Sequence, residues 1–260
     1  MFDLWFRSRR RKRLLGQPLP GEWQRHLQQN VAIFQHLPPA QQQRLVNALR
    51  IIATERSWVG CKGLVVTDEM KVTIAGQAAL LLLGEDGYYF ERVRAFLLYP
   101  YKMLLPAQRL RHLHDDDMEG AVIEGQAFAQ GEIVLSWPDA LHGGQAEDDG
   151  ENVVLHELAH HLDGLDGEMG GHLPGLGHAD QARWQQVLVQ EMDRLQQDLT
   201  NGVRTLIDPF AADNAAEFFA YSTECFYERP HELRARHREL YACLQRFYKV
   251  DPAAWFSERG

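Results

Sequence analysis

Basic charge, cysteine and long apolar runs are all scarce in this chain of 260 residues, and each shortage closes off a class of protein. The formal net charge is −9. Six of the 27 basic residues fall within residues 7–13, leaving 21 against 36 acidic residues elsewhere. An acidic body of this kind argues against nucleic acid as the main ligand. The three cysteines, Cys61, Cys225 and Cys243, make neither a metal-binding cluster nor an even-numbered disulfide framework. Free, partly buried thiols in a reducing cytoplasm are the expectation. The longest apolar run, Ala78 to Leu83, is far shorter than the roughly 18 residues of a membrane span. No repeat or low-complexity tract appears. What remains is a soluble globular composition, with 45% apolar and 24% charged residues, long enough to bury one full core.

The basic start, Ser8-Arg9-Arg10-Arg11-Lys12-Arg13, is followed by Gly16-Gln17-Pro18-Leu19-Pro20-Gly21-Glu22. That is no hydrophobic core of an export signal. Residues 1–16 are therefore expected as a mobile, solvated tail, with anionic membrane and nucleic acid as lesser partners. Residues 17–260 are expected as a single domain.

Periodicity gives the order of elements. Residues 22–36 and 39–56 read as amphipathic helices split at Leu37-Pro38-Pro39. Leu64–Thr67 and Met70–Ile74 read as strand material, followed by a helix over residues 76–83. Ala95–Tyr99 and Gly131–Trp137 read as strands, each stopped by a proline. The latter is a candidate edge for adding an extended peptide. Residues 106–125 read as polar and irregular. Later segments, 179–199, 214–228 and one C-terminal stretch around Leu233 to Tyr248, read as helices. Strands early and helices late predict an α+β fold.

The chemistry sits at His156-Glu157-Leu158-Ala159-His160, inside the helical run 152–163. Two histidines four residues apart lie about 40° apart around a helix and roughly 6 Å apart along it. Both imidazoles can reach one metal ion, and Glu157 then stands beside the water that the ion activates. Asn152 is a plausible N-cap and Gly164 a natural helix stop. Val154, Leu155, Leu158, Ala159 and Leu162 form the anchoring stripe.

A catalytic zinc usually takes three protein ligands. Asp166 lies ten residues past His156, where one group of zinc peptidases places its third ligand beyond a glycine turn, but Asp163 occupies the place of that glycine. Asp163 itself reads as a residue that supports a ligand or ends the helix. The other arrangement takes a glutamate from a later helix. Glu217, Tyr221 and Glu224 share one face of the 214–228 helix at i, i+4 and i+7. Glu217 is favoured as ligand, with Glu224 holding a ligand histidine by its free ring N–H.

Several segments together resemble the Mlc titration factor A metallopeptidases of bacteria, zinc peptidases of the glutamate-ligand zincin type. They are Trp58 to Leu64 with Val66 to Met70, Ile133 to Trp137, His156 to Asp163, and Asp208-Pro209-Phe210 followed by Ala216 to Ala220. The resemblance implies a zincin-like core, zinc on His156, His160 and Glu217, and Glu157 as general base. It also implies a cytosolic, aminopeptidase-like activity and binding of the glucose-responsive repressor Mlc, which takes Mlc off DNA and affects expression of the sugar phosphotransferase system. The alternative is a repressor-sequestering protein with weak or vestigial catalysis. One departure matters: seven residues before Glu217 the family tends to carry a tyrosine able to donate to an oxyanion, and this chain has Phe210. Tyr221 is a candidate substitute. His112 and His114 are not assigned to the site.

Overall fold

The computed structural model describes residues 2–101, 131–146, 148–167, 170–171 and 173–256. The expectation for residues 106–125, with His112 and His114, lies outside them. Three short strands, β1 (Ser57–Gly60), β2 (Ala95–Tyr99) and β3 (Glu132–Ser136), form a parallel sheet in the order β1-β2-β3. Trp58, Phe96 and Ile133 lie in register across it. Helices make up most of the rest, so the fold is α+β as the sequence predicts. Among the described residues β3 pairs only with β2.

The basic stretch expected as a mobile tail is helical in the structure, as α1 (Phe2–Leu15). Helix α2 (Gly21–Asn30), a 3-10 turn (Ala32–His36) and α3 (Pro39–Glu55) follow close to the expected bounds. The next segment differs. Leu64–Thr67 is not a strand, and Met70–Ile74 lies inside helix α4 (Asp68–Leu80). The Thr67 hydroxyl accepts from Met70 N at 3.3 Å and starts that helix. Val72, Thr73 and Ile74 look strand-like because α4 is buried on nearly every side, packed against α2, α3 and the two helices that follow β3. A helix without a polar face loses its 3.6-residue signature, and a short β-branched run then mimics a strand.

Strand β3 stops at Ser136 rather than Trp137. The Ser136 hydroxyl caps α5 (Trp137–Gln145), a helix that sequence reading did not anticipate. Glycine at 144 lets α5 meet α2 closely: a Cβ there would sit 2.3 Å from the Asn30 carbonyl oxygen. Then come α6 (Val153–Asp163), α7 (His178–Thr200), α8 (Ala215–Glu228), α9 (Pro230–Arg236) and α10 (Arg238–Tyr248). The C-terminal stretch is therefore two helices rather than one. They break at His237, whose φ of −134° is not helical, while Leu233 and Leu240 on either side both reach the core. Phe218, Phe219, Phe226 and Tyr227 of α8 are buried with Trp184, Tyr241 and Tyr248, which fixes α8 in the core beside α6.

Candidate metal centre

Helix α6 is set by its first residues. Asn152 Oδ1 accepts from Leu155 N at 3.0 Å, the side-chain cap that the sequence predicts. Val154, Leu155, Leu158 and Ala159 are fully buried. Gly164 does not end the helix in a left-handed turn. Its φ is −74°, the chain tightens into a 3-10 turn through Asp166, and the left-handed residue is Gly167 at φ 98°. Helix α8 begins in the same manner as α6, with Asn214 Oδ1 accepting from Glu217 N at 2.9 Å.

Packing α6 on α8 brings three ligand-type side chains to one point. His156 Nε2 and His160 Nε2 lie 3.1 Å apart. The Glu217 carboxylate reaches His156 Nε2 with Oε2 at 3.4 Å and His160 Nε2 with Oε1 at 3.4 Å. Among the described residues this is the one His/Cys/Asp/Glu group close enough to share a metal ion. Asp166, the other candidate ligand, is not part of it.

The spacing fits zinc. Bonds of about 2.0–2.1 Å at tetrahedral angles set neighbouring ligand atoms about 3.3 Å apart. The donor set, two imidazoles and a carboxylate, is that of a catalytic site with an open position. The electrostatics agree. Glu157, Glu217 and Glu224 are three carboxyl groups around two rings. No Lys or Arg side chain pairs with any of them among the described residues. Burial disfavours a proton on His156, yet hydrogen bonds to Glu217 and Glu224 outweigh it and carry its pKa up to about 10. Burial likewise opposes charge on Glu217, but His156 and His160 hold it well below the usual carboxylate range. The cluster calls for a positive charge at its centre.

The supporting groups fall around this point. His156 Nδ1 is 2.8 Å from Glu224 Oε1, while Glu224 Oε2 accepts from Asn152 N. Nδ1–H donating to Glu224 leaves the Nε2 lone pair facing the cluster. Glu157 is 2% exposed, and its Oε2 has no hydrogen-bond partner among the described residues. Burial pushes its carboxyl up; the two histidines oppose this, and Glu217 and Glu224 add to it. Asp163 is fully buried and accepts from Gly171 N at 3.0 Å. The Tyr221 ring packs edge-on against His156 at 4.7 Å. Its hydroxyl is buried with no partner among the described residues, and burial raises its pKa. Phe210 lies in the 3-10 turn Pro209–Ala212, where its N–H donates to Asp208 Oδ1 at 2.8 Å.

Sequence reading missed one residue of this framework. Glu228 is buried, and it accepts from Gly150 N at 3.0 Å and from Asn152 Nδ2 at 3.0 Å. Its signal was available, because it lies four residues past Glu224 on the same helix face. His161, the third histidine of the run, turns away: its Nε2 is 2.9 Å from the Tyr88 hydroxyl. Burial, with Arg92, pushes its pKa down to about 4.

The sequence model of the glucose-regulated metallo-peptidase M90 family matches residues 5–249. The chain belongs to this metallopeptidase family. An uncharacterized protein of Synechocystis, slr2042, is 34% identical over 250 residues, 94% of this chain and 89% of its own length. Proteins called Mlc titration factor A from Yersinia pestis and Yersinia pseudotuberculosis are each 29% identical over 253 residues, covering 96% of this chain and 90% of theirs. Membership in the M90 family implies a peptidase that works with a metal ion, and the His156, His160 and Glu217 group can hold one. No helix among the described residues is long and apolar enough to cross a membrane.

Proposed function

We propose that this M90 protein is a zinc-dependent, aminopeptidase-like hydrolase with a zincin-type site. His156, His160 and Glu217 hold the metal. The observation that carries this reading is the convergence of two Nε2 atoms and one carboxylate at 3.1–3.4 Å in a buried site. Zinc there would supply Lewis-acid polarisation of water and of the scissile carbonyl. Glu157 takes the proton from the attacking water and passes it to the leaving amine. Glu224 fixes the ring of His156 through Nδ1. Asp163 steadies the end of the motif helix through Gly171 N. The β3 strand, paired on one side only among the described residues, is the element to which substrate backbone would add.

The test pairs metal analysis with a peptide-library digest of the Glu157→Gln variant. Zinc retained with hydrolysis abolished is expected; full activity of the variant would sink the mechanism. Zinc lost by Glu217→Ala is expected; zinc retained at the parent stoichiometry would show that Glu217 is not a ligand.

A Mlc-type repressor is the second proposed ligand, with modulation of sugar phosphotransferase-system genes as its consequence. It rests on the name of the Yersinia relatives and on the sequence resemblance. The three free cysteines fit a cytoplasmic protein. One observation favours a reading in which sequestration outweighs catalysis: Phe210 has no hydroxyl to support an oxyanion. Metal-loaded protein that binds a Mlc-type repressor but cleaves no library peptide would establish that reading instead.

A further inference from the structure

Helix α1 carries a solvent face that the peptidase reading does not use. Its inner side is tied to the body. Arg11 Nε is 3.1 Å from Glu55 Oε1, and its guanidinium reaches Glu91 Oε1 at 2.8 Å and lies over the Tyr89 ring at 4.6 Å. The buried Arg50 donates to the carbonyls of Leu14 and Leu15 at the end of the helix. These contacts fix which side of α1 faces out. On a helix of 3.6 residues per turn, Arg9 lies about 160° from Arg11, with Lys12 and Arg13 roughly 60° and 40° to either side of it. Arg9, Arg10, Lys12 and Arg13 are exposed. Arg10, Lys12 and Arg13 make no ion pair among the described residues. Phe6, 60% exposed, falls on the same outward arc.

We propose that α1 docks the protein on an anionic lipid surface, with its cations at the headgroups and Phe6 at their inner boundary. An outward face that combines four cations with the exposed Phe6 matches a membrane interface better than a nucleic-acid groove, because the phenyl ring shares the cations' arc and has no role in binding phosphates alone. The acidic body is repelled by the same surface. Binding therefore holds the molecule with α1 towards the lipid and the acidic body away from it.

The experiment is flotation of the full-length protein with vesicles of phosphatidylcholine containing phosphatidylserine, against pure phosphatidylcholine. Each cation close to an anionic surface is worth roughly five-fold in affinity. The Arg10→Glu/Lys12→Glu/Arg13→Glu variant should therefore lose on the order of a hundredfold or more in partitioning. Phe6→Ala should lose a smaller factor that persists when salt is raised, whereas the charge contribution weakens as the Debye length shrinks. Peptide hydrolysis by both variants should match the parent, which shows that the fold is intact. Equal recovery on neutral vesicles, unchanged partitioning of the triple variant, or binding to a duplex oligonucleotide without binding to vesicles would overturn the proposal.

Discussion

Glu224→Gln tests the arrangement around His156 most directly, because it keeps the shape and removes one acceptor. In the structure both carboxylate oxygens accept: Oε1 from His156 Nδ1 at 2.8 Å, and Oε2 from the backbone N–H of Asn152. A glutamine has one acceptor and one donor at these places. Whichever way the amide turns, one contact becomes donor against donor. Glu224 is 3% exposed, so water cannot relieve the conflict. Leaving a buried donor unsatisfied costs about 1–3 kcal/mol. If the amide oxygen stays on Asn152, the His156 ring is freed to turn and the cost falls on metal binding. That corresponds to roughly a 10- to 100-fold loss of zinc affinity, the range found when a ligand histidine loses its outer partner. If the oxygen stays on His156, the cost falls on the start of α6 and appears in thermal stability. Zinc affinity is measured by chelator competition at neutral pH, and Tm of the metal-free protein is measured alongside. A variant with zinc affinity within twofold of the parent and an unchanged Tm would refute the reasoning, because the conflict has to appear in one of the two.

Three further outcomes follow from separate features. Phe210→Tyr adds a hydroxyl at the position where the resemblance to the Mlc titration factor A peptidases implies a tyrosine. The expected result is a kcat that rises towards the roughly 10²–10³-fold that one oxyanion donor is worth, with KM little changed; an unchanged kcat would refute a role for this position in supporting the oxyanion. Cys225 and Cys243 are buried, and burial pushes both thiols up, whereas Cys61 is half-buried. A disulfide-exchange reagent should therefore modify one thiol readily in the folded protein and the other two only after denaturation, and three fast thiols would contradict the packing of α8 and α10. Gly144→Ala places a methyl group 2.3 Å from the Asn30 carbonyl and 2.7 Å from Gln77 Nε2. Overpacking of this kind costs about 1–3 kcal/mol, a fall in Tm of several degrees in a calorimetric scan, and an unchanged Tm would mean that α5 does not approach α2 as described.

The parts legible in the sequence were those whose signal is local. The cap at Asn152, the i, i+4 histidines and the glutamate face of α8 all depend on spacing within one helix, and all stand where the spacing put them. Helix α4 was not legible, because burial on every side erased the alternation that separates helix from strand. The break at His237 was hidden for a similar reason: Leu233 and Leu240 keep contact with the core across it, so the apolar pattern runs on while the backbone does not. The choice among acidic partners is a third kind of problem, since it depends on how two helices cross. Glu217 and Glu224 are seven residues apart, about 10.5 Å along α8. Both nevertheless meet His156, Glu217 at Nε2 and Glu224 at Nδ1, with the Tyr221 ring packed against the imidazole between them. One ring laid across two turns of α8 thus gives the two glutamates different tasks. Glu217 faces the cluster with its charge directed at the shared centre, and Glu224 faces away and sets which nitrogen carries the proton. Spacing alone put both on the right face, and only the crossing of α6 over α8 decides between them.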